Sequence, residues 1–233
     1  MGADFQLALI VPASNTVMES DLHRHVASEC TTSTWRILLE SVTREAETKM
    51  LREELPATLG GIATTRPDAV FFGCTSAGSL GGLEHDSELA KRIEAETGSR
   101  AATVLRAVVD ELEAAKPRAV ALFTPYEEEL TSSVASCITE AGFPPVRARG
   151  MGIRDNRAIG RVTPQEIAAF VVENLGSIEP DAVFLSCTNW QAVDAIAPLK
   201  QRLGVPVISS NAAAIRSVRN LVADRRALGS VGT

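Results

Sequence analysis

Short hydrophobic runs alternate along the chain with longer amphipathic segments. Strands that are apolar on both faces, without alternating polar positions, are typical of a parallel sheet that helices cover on both sides. We therefore expect buried, parallel strands from six runs: residues 7–12 (LALIVP), 35–42 (WRILLESV), 69–74 (AVFFGC), 118–125 (RAVALFTP), 182–187 (AVFLSC) and 205–210 (VPVISS).

The segments that separate these runs have the apolar spacing of helices, and several of them end at a glycine, as helices often do. Alternation of strands and helices predicts an α/β fold with a doubly wound parallel sheet. The predicted helical segments are residues 48–63, 87–98, 102–115, 128–142, 163–176, 192–204 and 212–224.

One phrase occurs twice. Residues 66–75 (RPDAVFFGCT) and 179–188 (EPDAVFLSCT) share seven of ten positions at an offset of 113, and residues 8–12 (ALIVP) match 121–125 (ALFTP) at the same offset. An offset of this length indicates duplication of a whole βαβ half rather than a short helical repeat. We predict two pseudo-symmetric halves with the active site in the cleft between them: residues 1–112, joined by 212–233, and residues 113–211.

Composition narrows the function. The 233 residues carry a net charge of −6 with 4% aromatics, which argues against binding of nucleic acid. The start of the chain suits a first strand better than a signal peptide, and no apolar run approaches the roughly 18 residues of a membrane span, so we expect a cytoplasmic protein. The four cysteines lack zinc-site spacing, and neither a dinucleotide nor a phosphate motif follows the first strand. We expect no metal and no cofactor.

Cys74 and Cys187 end the two copies of the repeated phrase, where strands give way to helices. Ligands of α/β proteins gather at such carboxyl ends, so two facing halves would place one thiol on each wall of a cleft. The residues that follow, Thr75, Ser76 and Thr188 with Asn189, are types that begin helices, and a helix start lowers the pKa of a thiol. This context favours reactive thiols over structural ones. We expect the unrepeated pair, Cys30 and Cys137, to be buried structural cysteines.

Four segments together resemble the maleate cis-trans isomerase branch of the aspartate/glutamate racemase superfamily, whose nearest relatives include arylmalonate decarboxylase. They are residues 9–21 (LIVPASNTVMESD), 71–78 (FFGCTSAG), 154–162 (RDNRAIGRV) and 184–189 (FLSCTN). The resemblance runs from the first strand to about Asn211. It implies that Cys74 attacks the substrate double bond and that Cys187 supplies and then removes a proton.

The same resemblance implies that Asn15, Tyr126 and Asn156 bind the substrate carboxylates. Charge that develops on a carboxylate during attack needs preorganised donors, and the hydroxyls of Thr75, Ser76 and Thr188 are suited to that role. Each implied residue also has a purely structural interpretation. Asn15 could cap the following helix, Asn156 could form an Asx-turn, and Tyr126, the single tyrosine, could simply pack at a strand end.

Other functions stay open. Two thiols also suit an amino-acid or hydantoin racemase, but a substrate ammonium group would want an acidic partner, and Glu19 and Asp21 look solvated. An arylmalonate-type decarboxylase would keep the second cysteine and have a small residue in place of the first. A non-catalytic module that binds dicarboxylates would need neither thiol. Trp190 could narrow the cleft or offer an aromatic wall for a larger substrate, and Arg100 stands where an apolar run is expected. Maleate is therefore the first choice of substrate, and a substituted maleate, a small malonate or another 2-substituted dicarboxylate stays open.

The resemblance also implies a homodimer or a higher homo-oligomer, because relatives of this branch are commonly dimers.

Overall fold

The computed structural model describes residues 5–230, and two parallel sheets organise this part of the chain. Residues 1–4 and 231–233, which the sequence assigns to the N-terminal half, lie outside the described residues. The strands are β1 (Gln6–Pro12), β2 (Thr31–Ile37), β3 (Ala69–Phe72), β4 (Arg100–Thr103), β5 (Val120–Thr124), β6 (Pro145–Gly150), β7 (Ala182–Leu185) and β8 (Val207–Ser209).

The two sheets have the same topology. The first has the order β2-β1-β3-β4, the second the order β6-β5-β7-β8, and every pair is parallel. Their registers correspond as well, since Ala8 pairs with Val70 in the first sheet and Ala121 pairs with Val183 in the second. Both pairs are separated by the offset of 113 found in the sequence. The predicted α/β fold with two similar parallel-sheet halves is confirmed.

The repeated Pro-Asp pair has a structural role at the start of the strands. Asp68 accepts a hydrogen bond from the backbone N–H of Gln6 at 2.8 Å, and Asp181 accepts one from the backbone N–H of Ala119 at 2.8 Å. Each carboxylate thus ties the start of one central strand to the start of its neighbour. Part of the repeated phrase therefore serves the fold rather than the chemistry.

Eleven helices among the described residues cover the sheets. They are α1 (Met18–Val26), α2 (Arg44–Lys49), α3 (Leu55–Thr65), α4 (Thr75–Gly78), α5 (Gly82–Thr97), α6 (Val104–Ala115), α7 (Glu128–Glu140), α8 (Asn156–Ile159), α9 (Pro164–Leu175), α10 (Ala192–Leu203) and α11 (Ser210–Ser230). A π-helical turn (Met50–Glu54) joins α2 to α3, and a 3-10 turn (Ser79–Gly81) follows α4. No helix of this part of the chain is long and apolar enough to cross a membrane.

The final helix packs on helices of the first half of the chain. α11 packs against α1 and α6, and Arg216 and Arg219 of α11 pair with Glu111 and Glu29 of the first half. This arrangement agrees with joining the C-terminal segment to the N-terminal half, although the boundaries of the two halves stay a prediction.

The sequence predicts the central strands better than the edge strands. β1, β3, β5 and β7 are almost wholly buried, whereas most positions of the edge strands β4 and β6 are half-buried or exposed. Neither β6 nor β4 is predicted as a strand. Arg100 interrupts the apolar pattern at β4, and the last two residues of that strand fall in the predicted helical segment 102–115. The predicted run 35–42 is also displaced, since β2 occupies Thr31–Ile37. An edge strand of a parallel sheet is half solvated, so it loses the continuous apolar signal.

Candidate active site

The two repeated cysteines lie at equivalent places in the two sheets. Cys74 follows β3 and Cys187 follows β7, each two residues after a central strand ends. Both thiols are buried, with exposed fractions of 5% and 4%, and each is close enough to Tyr126 that its charge raises the pKa of the phenol. The charge of Cys187 also raises the pKa of Cys74. The structure therefore brings the two thiols into one site, as the repeat predicts.

The net effect of the surroundings of Cys74 is to raise its pKa. The residue caps the start of the short helix α4, and its Sγ lies 3.8 Å from the Oγ of Ser76. Burial raises the pKa of the thiol far above its usual range, and the nearby Glu47 raises it further, while the N–H of Ala77 and the Ser76 hydroxyl lower it. The predicted lowering of the pKa is wrong for this closed structure because desolvation outweighs the helix start.

Cys187 lies in a denser set of donors. Its Sγ accepts a hydrogen bond from the N–H of Asn189 at 3.3 Å and a second one from the Tyr126 hydroxyl, and both lower the pKa of the thiol. Burial is nevertheless the largest effect and raises that pKa to about 12. The prediction that Thr188 begins a helix is wrong, since residues 188–190 form a turn and α10 starts at Ala192.

Thr188 and Asn15 join the two sheets beside the thiols. The Thr188 hydroxyl donates to the carbonyl of Gly73 at 2.9 Å and accepts from Nδ2 of Asn15 at 3.0 Å. Oδ1 of Asn15 accepts from the N–H groups of Val17 and Met18 at the start of α1. The structural and the functional interpretations of Asn15 are thus compatible, because its oxygen caps the helix while its amide points to Thr188.

Asn156 begins α8 and its side chain reaches the first half. Its Nδ2 donates to Oγ of Ser14 at 2.9 Å, and its Oδ1 accepts from Nδ2 of Asn189 at 3.0 Å. The Asx-turn belongs to Asp155, whose carboxylate accepts from the N–H of Arg157. Asn156 is therefore free of that local role and lies at the boundary between the halves.

Asn189 is a site residue that the sequence indicates only as a cap type. Its Oδ1 accepts from the N–H of Thr16 at 2.9 Å, and its Nδ2 also donates to the carbonyl of Asn156 at 2.6 Å. It thus ties the loop after β1 to α8. Nothing in the sequence pattern distinguishes this role from helix capping.

The remaining predicted donors are also buried at the site. Tyr126 is 2% exposed, and Thr75 donates its hydroxyl to Oγ of Ser210 at 3.0 Å. Ser76 donates its hydroxyl to a carboxylate oxygen of Glu47. All eight predicted site residues are thus buried near the junction of the two sheets, and several already bond to one another in this closed form.

Glu47 is the residue of this site that the sequence does not predict. Its side chain on α2 is fully buried, its Oε1 accepts from Ser76, and its Oε2 has no hydrogen-bond partner among the described residues. Burial raises its pKa to about 8, although Ser76 and Arg44 both act to lower it. It lies in residues 43–49 (TREAETK), a charged stretch that is typical of a solvent-exposed helix face. Only the tertiary structure therefore identifies Glu47 as a site residue.

One further expectation needs correction, and another stays a prediction. Asp21 is buried rather than solvated; it pairs with Arg24 and accepts from Nδ2 of Asn211, which also donates to the carbonyl of Thr188. Trp190 is fully buried, and its backbone N–H acts to lower the pKa of Cys187, so it lies beside that thiol. Its effect on the width of the cleft stays a prediction. Through the side chain of Asn211, Asp21 is therefore linked to the turn at Thr188.

Cys30 and Cys137 are buried without forming a disulfide, as predicted. The Cys137 thiol contacts the carbonyl of Ser79 at 3.4 Å, and the Cys30 thiol contacts the carbonyl of Val26 at 3.7 Å. Both are thus satisfied by backbone groups away from the paired thiols.

The arrangement as a whole offers two thiols, neutral hydroxyl and amide donors, and one carboxyl group. Such a set can add a nucleophile to an activated carbon, deliver a proton to the neighbouring carbon, and hold the negative charge that develops on a carboxylate.

Comparisons with known proteins agree with this site. A family model described as arylmalonate decarboxylase matches residues 7–232. A maleate isomerase of Geobacillus stearothermophilus is 29% identical over 224 residues, covering 90% of this chain and 88% of the relative. An arylmalonate decarboxylase of Bordetella bronchiseptica is 31% identical over 140 residues, covering 60% of this chain and 58% of the relative.

The fold has close matches among solved structures. A mutant of the maleate cis-trans isomerase of Nocardia farcinica, solved with a covalently bound succinylcysteine intermediate, superposes with a TM-score of 0.85 at 22% identity, covering 94% of this chain and 92% of that one. Because the family model spans nearly the whole chain, this protein belongs to the family of maleate isomerases and arylmalonate decarboxylases within the aspartate/glutamate racemase superfamily.

Proposed function

We propose that this protein is a cofactor-independent isomerase that converts maleate, or a substituted maleate, to the trans isomer through a covalent adduct on Cys74. The observation that carries the proposal is the pair of buried thiols, Cys74 and Cys187, which follow the equivalent strands β3 and β7 and both lie close to Tyr126. One thiol would suffice for protonation alone, whereas addition to a double bond followed by proton transfer uses two.

The reaction begins with the Cys74 thiolate attacking one alkene carbon. A C–S bond forms, and the π electron pair moves through the second alkene carbon onto its carboxylate, which gives an enediolate. Cys187 then donates its thiol proton to that carbon. The adduct is an S-succinyl cysteine whose central C–C bond is single and free to rotate.

Elimination reverses these steps after rotation. The Cys187 thiolate removes a proton from the same carbon, the C=C bond forms again with the carboxylates trans, and Cys74 leaves as a thiolate. Both cysteines return to their starting states, so no cofactor is consumed. Tyr126 and the N–H of Asn189 already bond to the Cys187 sulfur, which suits a group that must become a thiolate and then take a proton back.

The carboxylates of the substrate need donors. We propose that Asn15, Asn156 and Tyr126, with the hydroxyls of Thr75, Ser76 and Thr188, provide them. Neutral donors hold an anion without a cation that would pair with the attacking thiolate and weaken it as a nucleophile. The succinylcysteine bound in the Nocardia farcinica enzyme supports an adduct of this kind.

The test is proton NMR of the reduced protein with maleate in D₂O, beside Cys74→Ala and Cys187→Ala variants. We expect fumarate from the wild type and at least a hundredfold less from each variant, as is usual when a nucleophile or its acid–base partner is removed. A folded wild type that yields no fumarate from maleate and no isomer of a substituted maleate would contradict the proposal. Exchange of the Cα hydrogen of amino acids or hydantoins would then indicate a racemase.

Decarboxylation of a malonate is the second candidate, because the matching family model is that of arylmalonate decarboxylase. Loss of CO₂ leaves an enediolate that one proton donor quenches, a role that Cys187 alone could fill. On this alternative Cys74→Ala keeps the activity and Cys187→Ala loses it. Release of CO₂ from phenylmalonate by the wild type and the Cys74→Ala variant would identify this function.

A further inference from the structure

Glu47 is a buried carboxyl group within the candidate site, and the proposed reaction steps do not use it. It lies at the fourth position of α2, and α2 packs against α4, the helix that Cys74 caps. Its charge raises the pKa values of Cys74, Cys187 and Tyr126, so it lies near all three. A carboxyl group at this place acts on whatever binds between the thiols.

Only one oxygen of Glu47 is bonded. Oε1 accepts the Ser76 hydroxyl, while Oε2 is buried and has no partner among the described residues. A buried polar atom without a partner costs free energy, so this atom is a natural place for a group that arrives with the ligand.

Burial favours the neutral form of Glu47, against the effect of its hydrogen-bond partner and of the nearest cation. The groups that act on it or on which it acts are Ser76 and Cys74 around α4, Tyr126 after β5, Cys187 after β7, and Arg44 on its own helix. Arg44 is the cation of this set, but its guanidinium is engaged elsewhere, with Glu129, Ser133 and the carbonyl of Leu80. Burial therefore prevails and raises the pKa of Glu47 to about 8.

A neutral carboxyl group has one acceptor oxygen and one O–H donor. The acceptor role is filled by Oε1 with Ser76, which leaves the hydrogen on Oε2. We propose that Glu47 binds the substrate by donating the hydrogen of its carboxyl group to a carboxylate oxygen. This inference rests on the proposed function, since it requires an anionic substrate between the two thiols.

The proposal gives the site a pH limit. When Glu47 loses its proton, the donor becomes an anion that faces the carboxylates of the substrate and opposes thiolate formation at Cys74. Binding should therefore be constant below about pH 8 and weaken above it, by roughly tenfold for each pH unit. Gln at this position keeps an N–H donor of similar shape but cannot ionise.

The experiment measures binding of succinate, which has no double bond to react, by calorimetry from pH 6 to pH 9.5. The proteins are the wild type, Glu47→Gln, Glu47→Leu and, as a matched control, Glu45→Gln on the exposed side of the same helix. We expect Glu47→Gln to bind like the wild type at pH 6.5 but without weakening above pH 8. Glu47→Leu should bind roughly 10- to 100-fold more weakly than the wild type at pH 6.5 and should not weaken further above pH 8, and Glu45→Gln should follow the wild type.

Several outcomes would overturn the inference. If Glu47→Gln weakens above pH 8 as the wild type does, another group sets the limit and Glu47 is not the donor. If L-aspartate binds more tightly to the wild type above pH 8, and this gain is absent in Glu47→Gln, Glu47 acts as an anion toward an ammonium group. A wild type that binds succinate at no pH would also contradict the inference, because Glu47 would then have no carboxylate to bind. None of these outcomes decides the isomerase chemistry, which is judged from maleate by NMR.

Discussion

Amides and hydroxyls make most of the side-chain hydrogen bonds around the two thiols, and Glu47 is a carboxyl group whose charge acts on both of them. Because the site is buried, each thiol and the carboxyl group are held toward their neutral forms. The site therefore carries little charge before an anionic substrate binds. A catalytic thiolate must form as the substrate binds or as the site opens.

The raised pKa of Glu47 has a consequence for stability. A carboxyl group whose folded pKa lies above its unfolded pKa stabilises the protein below the unfolded value, and this stability is lost as pH rises to the folded value. For Glu47 the window runs from 4.5 to about 8. We expect Glu47→Gln to match the wild type near pH 4.5 and to exceed it at pH 9 by up to about 5 kcal/mol in unfolding free energy.

Urea unfolding at both pH values, compared with Glu45→Gln, measures this difference. The control changes an exposed carboxylate of the same helix and should keep the wild-type dependence on pH. If the unfolding free energies of Glu47→Gln and the wild type changed equally between the two pH values, Glu47 would be ionised in the folded protein.

At the scale of elements, α2 is the part of the molecule that positions Glu47. The helix has only six residues, its start is capped by Thr43, whose hydroxyl accepts from the N–H of Ala46 at 3.3 Å, and the π-helical turn follows it directly. Short helices have little stability of their own, so the cap and the packing of Met50 and Leu51 hold it in place. Removing the cap or the packing at either end of α2 should therefore change the position of Glu47.

We expect Thr43→Ala to lower the unfolding free energy by about 1 kcal/mol and to weaken succinate binding at pH 6.5 as well. The matched control is Thr163→Ala, which removes the cap of α9, where Thr163 and Glu166 form a capping box away from the thiols. That variant should lose similar stability with unchanged binding. Thermal or urea unfolding and calorimetry check both parts, and normal binding by a destabilised Thr43→Ala protein would show that α2 does not depend on its cap for this role.

At the scale of the whole molecule, the two sheets meet at the carboxyl ends of their strands and close over the site. Asn189 is central to this closure, because its side chain joins Thr16 after β1 to Asn156 of α8. The thiols beneath it are almost inaccessible. We therefore expect a substrate to reach the thiols only when these contacts between the two sheets open.

Asn189→Ala removes the side-chain bonds to Thr16 and Asn156, which should lower the free energy of opening by roughly 1–3 kcal/mol and raise the rate at which iodoacetamide alkylates Cys74 by roughly 5- to 150-fold. Peptide mass spectrometry over time measures that rate at Cys74. The control is Asn174→Ala, which removes an amide bonded within α9 to the carbonyl of Phe170. Equal rates in the wild type and Asn189→Ala would place the limiting motion elsewhere.

Much of this architecture is determined by the sequence alone. The continuous apolar runs of β3 and β7 predict central parallel strands, because a strand buried on both faces has no polar positions to interrupt it. The constant offset of 113 predicts the two equivalent sheets, and the cysteine at the end of each copy predicts where the thiols lie. These features are local or repeated, so they can be detected without knowing which segments meet.

Other features depend on contacts between distant segments, and the tertiary structure alone decides them. The edge strands β4 and β6 take their conformation from pairing with a neighbour rather than from their own half-solvated pattern. Glu47 resembles its exposed neighbours until α2 packs against α4 and buries it, and the pKa values of Cys74 and Cys187 rise because two sheets exclude water from between them. Burial and desolvation arise only when distant parts of the chain come together, so no stretch of sequence records them.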